Sequence, residues 1–196
     1  MKINNRILDK LKENNVITTS EVTELGFSKQ TLTNYVKAGL LERVIHGIYM
    51  LPGSIEDDMY IMMLRSKNII FSHETAAFLN GISSRTPFTH SVTIPNGTSL
   101  PHSIRNDCDA FYVKPPLHKV GEVMMKTTFG NLVRTYNAER TVCDILRSRS
   151  RIDEETVVSI IKNYAVLDEK DLNRLAEYAS MFKVQKTLKY YMEVLL

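Results

Sequence analysis

The stretch Ile17–Tyr49, ITTSEVTELGFSKQTLTNYVKAGLLERVIHGIY, decides the fold. Thr18 and Glu21 stand three apart as a capping box, with Ile17 and Val22 spaced as a hydrophobic staple around it, so a short helix begins there. Gly26 stops it. Phe27 and Leu32 repeat the staple around Ser28, which takes the N-cap of a second helix running through Tyr35 and Val36 to Gly39. Two capped helices joined by so tight a turn form a helix-turn-helix. The runs Leu41–Ile45 and Ile48–Leu51 are separated only by His46 and Gly47, the spacing of a two-residue hairpin. Helix, turn, helix and ribbon in that order predict a winged helix-turn-helix.

The second helix carries the chemistry. With Leu32, Tyr35 and Val36 turned inward at roughly 100° per residue, Gln30, Thr33, Asn34 and Lys37 share the outward face and Lys29 stands at the helix start. Side-chain amides pair bidentately with adenine edges in the major groove, while Lys and Thr reach guanine or phosphate. Arg43 and His46 sit on or near the hairpin tip, where a wing meets the phosphate backbone or a minor groove. The expected DNA contacts are therefore Ser28, Lys29, Gln30, Thr33, Asn34, Lys37, Arg43 and His46. The plainer reading of such a face is a solvated surface; the ribbon that follows it favours DNA.

Outward from this stretch, 196 residues with 43% hydrophobic content supply a packed core in one or two domains. The net charge of +3 is only mildly basic, so affinity for nucleic acid has to come from arrangement rather than excess. The opening MKINNRILDKLKENN lacks the apolar region of a signal peptide, and no later stretch reaches the about 18 apolar residues of a membrane span. Two cysteines, Cys108 and Cys143, make no disulfide scaffold, and the expected compartment is the cytoplasm.

The expected fold class is α+β: the N-terminal winged helix-turn-helix over 1–53, then a mixed α/β domain over 54–196 that ends in a helical bundle, with packing of 54–84 on the N-terminal domain as the alternative. Ile3, Ile7 and Leu11 place a supporting helix before the reader. Ser54, with Asp57 in its first turn, opens a helix to about Arg65. Asn68–Phe71 reads as a strand and Ser72 as the cap of a helix stopped by Gly81; further strands are expected at Val92–Ile94, Phe111–Val113, Val123–Met125 and Leu132–Val133. From Asn137 the period changes, and the apolar sets Val157 to Tyr164, Leu172 to Ala179 and Val184 to Leu195 fit three amphipathic helices.

Catalytic signatures are missing. His73, His90, His102 and His118 have no compact ligand spacing, neither cysteine belongs to a C-x-x-C pair, and there is no phosphate loop, nucleophile elbow or dinucleotide fingerprint. Asp107 and Asp109 form a D-x-D, but no Gly-Ser pair stands at the short distance that a nucleotidyltransferase requires, and a solvated polar loop is the better reading. Arg147, Arg149 and Arg151 alternate with serines; a solvated connector is the first reading of them and phosphate contact the second. The expectation is a non-enzyme with no cofactor and no metal.

The chain resembles the AbiEi family of bacterial antitoxins from type IV toxin-antitoxin systems. The resemblance is carried by Ile17–Tyr49, above all GLLERVIHGIYMLPG from Gly39, by FSHETAAFLNGIS from Phe71 and by NAERTVCDILR from Asn137. It implies a transcriptional autoregulator that binds inverted repeats in its own promoter and whose C-terminal region counteracts a nucleotidyltransferase toxin without a stable complex; because one reader covers only a few base pairs, two copies of a monomer are expected to meet on the DNA. In the third motif, Glu139, Arg140 and Asp144 are expected to pair locally while Val142, Ile145 and Leu146 pack. The alternative is an ordinary winged-helix regulator with a ligand- or partner-sensing C-terminal domain; a third reading makes that domain an enzyme of nucleic-acid metabolism.

Overall fold

The computed structural model describes residues 1–195, without the side chain of Leu195, so the place of Leu195 in the last apolar stripe lies outside the described residues. The chain forms two compact units, Met1–Ile61 with Thr128–Asn131, and Met62–Thr127 with the chain from Leu132 onward.

In the first unit, α1 (Asn5–Asn14) starts where the Asn4 side chain accepts from the Arg6 amide, and its four-residue apolar spacing buries Ile7 and Leu11. Next comes a strand that local pattern does not announce, β1 (Val16–Thr18). It leads into α2 (Thr19–Glu24) through the expected capping box: the Glu21 amide donates to Thr18 Oγ1 at 3.2 Å, and the Thr18 amide donates to Glu21 Oε2 at 2.7 Å. Gly26 takes φ +87°, the left-handed turn that returns the chain to α3 (Lys29–Lys37). Ser28 does hold the N-cap position with extended backbone, but its hydroxyl makes no capping hydrogen bond, contrary to its expected role.

The ribbon consists of β2 (Glu42–Ile45) and β3 (Ile48–Met50), with Arg43 opposite Tyr49 and a register shift between Arg43 and Ile45. β1 adds to the free side of β3, Ile17 opposite Tyr49, giving a three-stranded antiparallel sheet in the order β1-β3-β2. Ile17, Val22, Leu32, Tyr35 and Leu41 close one core with the α1 residues, and the Tyr35 hydroxyl accepts from the Asn4 amide at 3.0 Å. Ser54 does not open the next helix. Its amide closes a turn to the Leu51 carbonyl, and α4 (Asp58–Arg65) is capped instead by Asp57, whose carboxylate accepts from the Tyr60 amide and from the Asn131 side chain.

In the second unit a five-stranded mixed sheet has the order β6-β5-β4-β8-β7, built from β4 (Ile70–Phe71), β5 (His90–Pro95), β6 (Cys108–Val113), β7 (Glu122–Lys126) and β8 (Leu132–Tyr136). β4 runs antiparallel to β5 and parallel to β8, and β5 runs parallel to β6. Asp109 belongs to β6 rather than to a polar loop, with its side chain exposed. Between strands lie α5 (His73–Leu79) and the short α6 (Pro115–His118). Ser72 precedes α5 at the cap position, yet its hydroxyl is turned to Thr93 and His73 rather than to the helix.

Four helices follow: α7 (Ala138–Arg147), α8 (Glu154–Ala165), α9 (Leu172–Met181) and α10 (Gln185–Leu195). α7 is buried from Ala138 to Leu146, and Val142, Ile145 and Leu146 pack with Val157, Ile161, Tyr164, Leu175 and Ala179. Such a helix needs its polar side chains satisfied inside. Arg140 donates through Nε to Asp144 at 3.0 Å and through Nη1 to the Leu117 and Val120 carbonyls, each at 2.9 Å. Glu139 departs from the expected local pairing: its carboxylate accepts from the Asp171 amide at 3.0 Å and the Tyr164 hydroxyl at 3.3 Å, so it ties α7 to α8 and to the start of α9. Gly121, at φ +79°, passes so close to α7 that a Cβ there would stand 2.7 Å from the Arg140 Cβ. Only glycine fits that approach.

Candidate nucleic-acid interface

All eight side chains expected to meet DNA are exposed. Gln30, Thr33, Asn34 and Lys37 emerge from one side of α3 while Leu32 and Tyr35 are buried on the other; Val36 is half-buried. Gln30 Nε2 donates to Asn34 Oδ1 at 3.0 Å, so the two amides orient each other. The bond uses one N–H of Gln30 and one acceptor position of Asn34. Gln30 keeps its carbonyl and second N–H, and Asn34 keeps its amino group and part of its carbonyl, the donor-and-acceptor combination that matches an adenine edge. Lys29 at the helix start and Lys37 in its last turn place cations at both ends of this amide pair.

The wing is anchored. Thr19, the first residue of α2, donates through its amide to the Gly47 carbonyl at 2.9 Å, while Gly47 makes the tight turn at φ +83°. Arg43 and His46 hydrogen-bond across the ribbon, Arg43 Nη2 with His46 Nδ1, which brings both named wing residues to the same end of the hairpin. Thr19 reads in the sequence only as a helix start. Its partner is 28 residues away, so no local signal announces the anchor.

The three alternating arginines do not behave as one connector. Arg149 turns back to the Leu146 carbonyl, whereas Arg147 donates to the Tyr112 carbonyl and Arg151 lies 4.1 Å over the Phe111 ring, both lining a cavity in the second unit. Among the described residues no group of His, Cys, Asp and Glu is placed to hold a metal ion, and no helix is long and apolar enough to cross a membrane.

The first unit, with a strand after its first helix, a tight helix pair and a two-stranded wing, is a winged helix-turn-helix. Residues 5–52 match the family described as transcriptional regulator, AbiEi antitoxin, and that segment is similar to those regulators. The match ends two residues after Met50, the last residue of the ribbon, so it covers the reader and not the rest of the chain. That family is one of regulators rather than enzymes. Among solved structures, the chain is similar to the RV2827C protein from Mycobacterium tuberculosis, with a TM-score of 0.57 and 16% identity over 90% of this chain and 70% of that one. At this identity the likeness speaks for the fold alone. Comparison with curated proteins gives no match.

Proposed function

We propose that the chain is a DNA-binding antitoxin that represses its own operon by binding inverted repeats in the promoter and counteracts a nucleotidyltransferase toxin without forming a stable complex with it. The observation that carries the reading is a coincidence of place: the residues matching the AbiEi regulators are those that present Lys29, Gln30, Thr33, Asn34, Lys37 and Arg43 on an exposed helix face and anchored wing. Ser28 contributes through the hydroxyl that the helix leaves uncapped. Division of labour follows, with residues 1–53 reading DNA and 54–196 opposing the toxin in the cytoplasm.

One reader covers only a few base pairs, and inverted repeats reward a chain that binds twice. Footprinting on the promoter should therefore show two symmetric protected patches, the second filling as concentration rises. A single asymmetric patch at every concentration would refute the reading. In the same assay, Arg43→Ala should weaken binding to promoter and unrelated duplex alike and reduce the slope of log affinity against log salt by about one, as expected for one lost phosphate contact.

A further inference from the structure

The end of α7 lies against a cavity of about 130 Å³ in the second unit, lined among others by His73, Arg140, Asp144, Arg147, Ser148 and Arg151. The DNA reading makes no use of it. Its charges are unbalanced: Asp144 is held by Arg140 at 3.0 Å, and among the described residues no carboxylate lies within ion-pair distance of Arg147 or Arg151. Arg147 gives one N–H to the Tyr112 carbonyl at 3.1 Å and Arg151 rests on the face of Phe111, so both retain N–H groups for a ligand. Deeper in, Arg140 is fully buried, and its Nη2 has no hydrogen-bond partner. Buried donors are rarely left in that state.

Three residues that line the cavity, Thr93, His73 and Ser148, are joined through Ser72 by a chain of hydrogen bonds. Thr93 Oγ1 donates to Ser72 Oγ at 2.8 Å, Ser72 Oγ lies 2.9 Å from His73 Nδ1, and His73 Nε2 lies 3.0 Å from Ser148 Oγ. Once Thr93 donates to Ser72, the Ser72 proton goes to Nδ1, the ring proton sits on Nε2 and goes to Ser148, and the Ser148 proton is left for a further acceptor. Burial first, and then Arg140, Arg147 and Arg151, hold His73 well below the usual histidine range, so the ring is neutral as this chain requires. His73 keeps its place at φ +49°, a conformation a non-glycine residue adopts only where its surroundings impose it, and its ring stacks on Phe111 with centroids 3.5 Å apart.

We propose that this cavity binds a phosphate group, with Arg147, Arg151, the Ser148 hydroxyl and Arg140 Nη2 as its donors. All of them donate, and a phosphate offers acceptors on every side and matches guanidinium geometry. The volume admits the phosphate alone, so it arrives either as the free ion or as the end of a phosphomonoester whose remainder stays outside, beside the half-exposed Tyr112.

The test is calorimetric titration of the full chain at constant ionic strength with inorganic phosphate, with a nucleoside 5′-monophosphate and with the unphosphorylated nucleoside. Saturable binding of one phosphate or monophosphate per chain is expected, with no binding of the nucleoside; the tighter of the two phosphate forms identifies the source. Changing Arg147→Ala together with Arg151→Ala should weaken binding by about tenfold or more, since two charge-assisted contacts are lost. Ser148→Ala should weaken it several-fold with the circular dichroism of the parent, while the unfolding midpoint without phosphate falls because the buried His73 Nε2 loses its partner. Absence of saturable binding to either phosphate form, or unchanged affinity in the folded double variant, overturns the proposal.

Discussion

Replacing Arg140 with Ala should destabilise the second unit by about 3–5 kcal/mol, the cost of leaving a buried charge without its partner. The side chain is fully buried and its guanidinium is sandwiched between the rings of Tyr136 and Phe182, 4.1 and 3.9 Å from their centroids. Its loss strands the Asp144 carboxylate, itself 2% exposed, and removes the donor from the Leu117 and Val120 carbonyls. Against a total stability of about 5–15 kcal/mol this is a large share, and at the low end of that range it unfolds much of the population. The double change Arg140→Met with Asp144→Leu leaves no lone charge and should lie closer to the parent than Arg140→Ala alone. Chemical denaturation measures both, and an Arg140→Ala protein within about 1 kcal/mol of the parent would contradict the account of α7.

The second large effect is in the cell. A chain changed at Gln30, Asn34, Lys37 and Arg43 should lose promoter repression yet still rescue cells that express the toxin from an independent promoter. All four side chains are exposed, so the changes should cost little stability. The core around α7, from Val142 to Ala179, contains none of them. Conversely, a fragment limited to the reader should rescue nothing. If the full-length variant is folded and abundant but fails to rescue, neutralisation runs through the reader and the proposed division of function is wrong.

The reader was legible because its signals are local. The Thr18–Glu21 box, Gly26 at φ +87° and Gly47 at φ +83° each act over a few residues, and a sequence displays them directly. β1 was not legible: three residues with two adjacent apolar side chains carry no alternation, and the strand exists only because β3 pairs with it. Ser54 lost the cap to Asp57 for a similar reason, since Asp57 is fixed by Asn131, 74 residues further along the chain. Glu139 looks like a local partner for Arg140, but its hydrogen bonds lie 25 and 32 residues away.

The alternating arginines misled by their apparent period. Read as extended chain, Arg147, Arg149 and Arg151 share one side; on the end of α7 and the following 3-10 turn, residues four apart fall together and the middle one falls opposite. Hence Arg147 and Arg151 meet at the cavity while Arg149 caps a carbonyl. His73, one of five scattered histidines in the sequence, joins that cavity through Phe111 and through Ser148, 75 residues on. Sheet and bundle, by contrast, follow from strand punctuation and helical period, and the mixed α+β class was readable from them.

The central claim is that the amide pair on α3 reads bases. Fluorescence anisotropy should be measured for the parent and for Gln30→Ala with Asn34→Ala, each on the promoter duplex and on a scrambled duplex of the same length and composition at one salt concentration. The account predicts that the parent prefers the promoter, and that the variant loses about 1–3 kcal/mol of that preference for each base contact removed while its affinity for the scrambled duplex stays unchanged. A variant that keeps the parent's full preference for the promoter would show that the exposed face of α3 does not read the sequence.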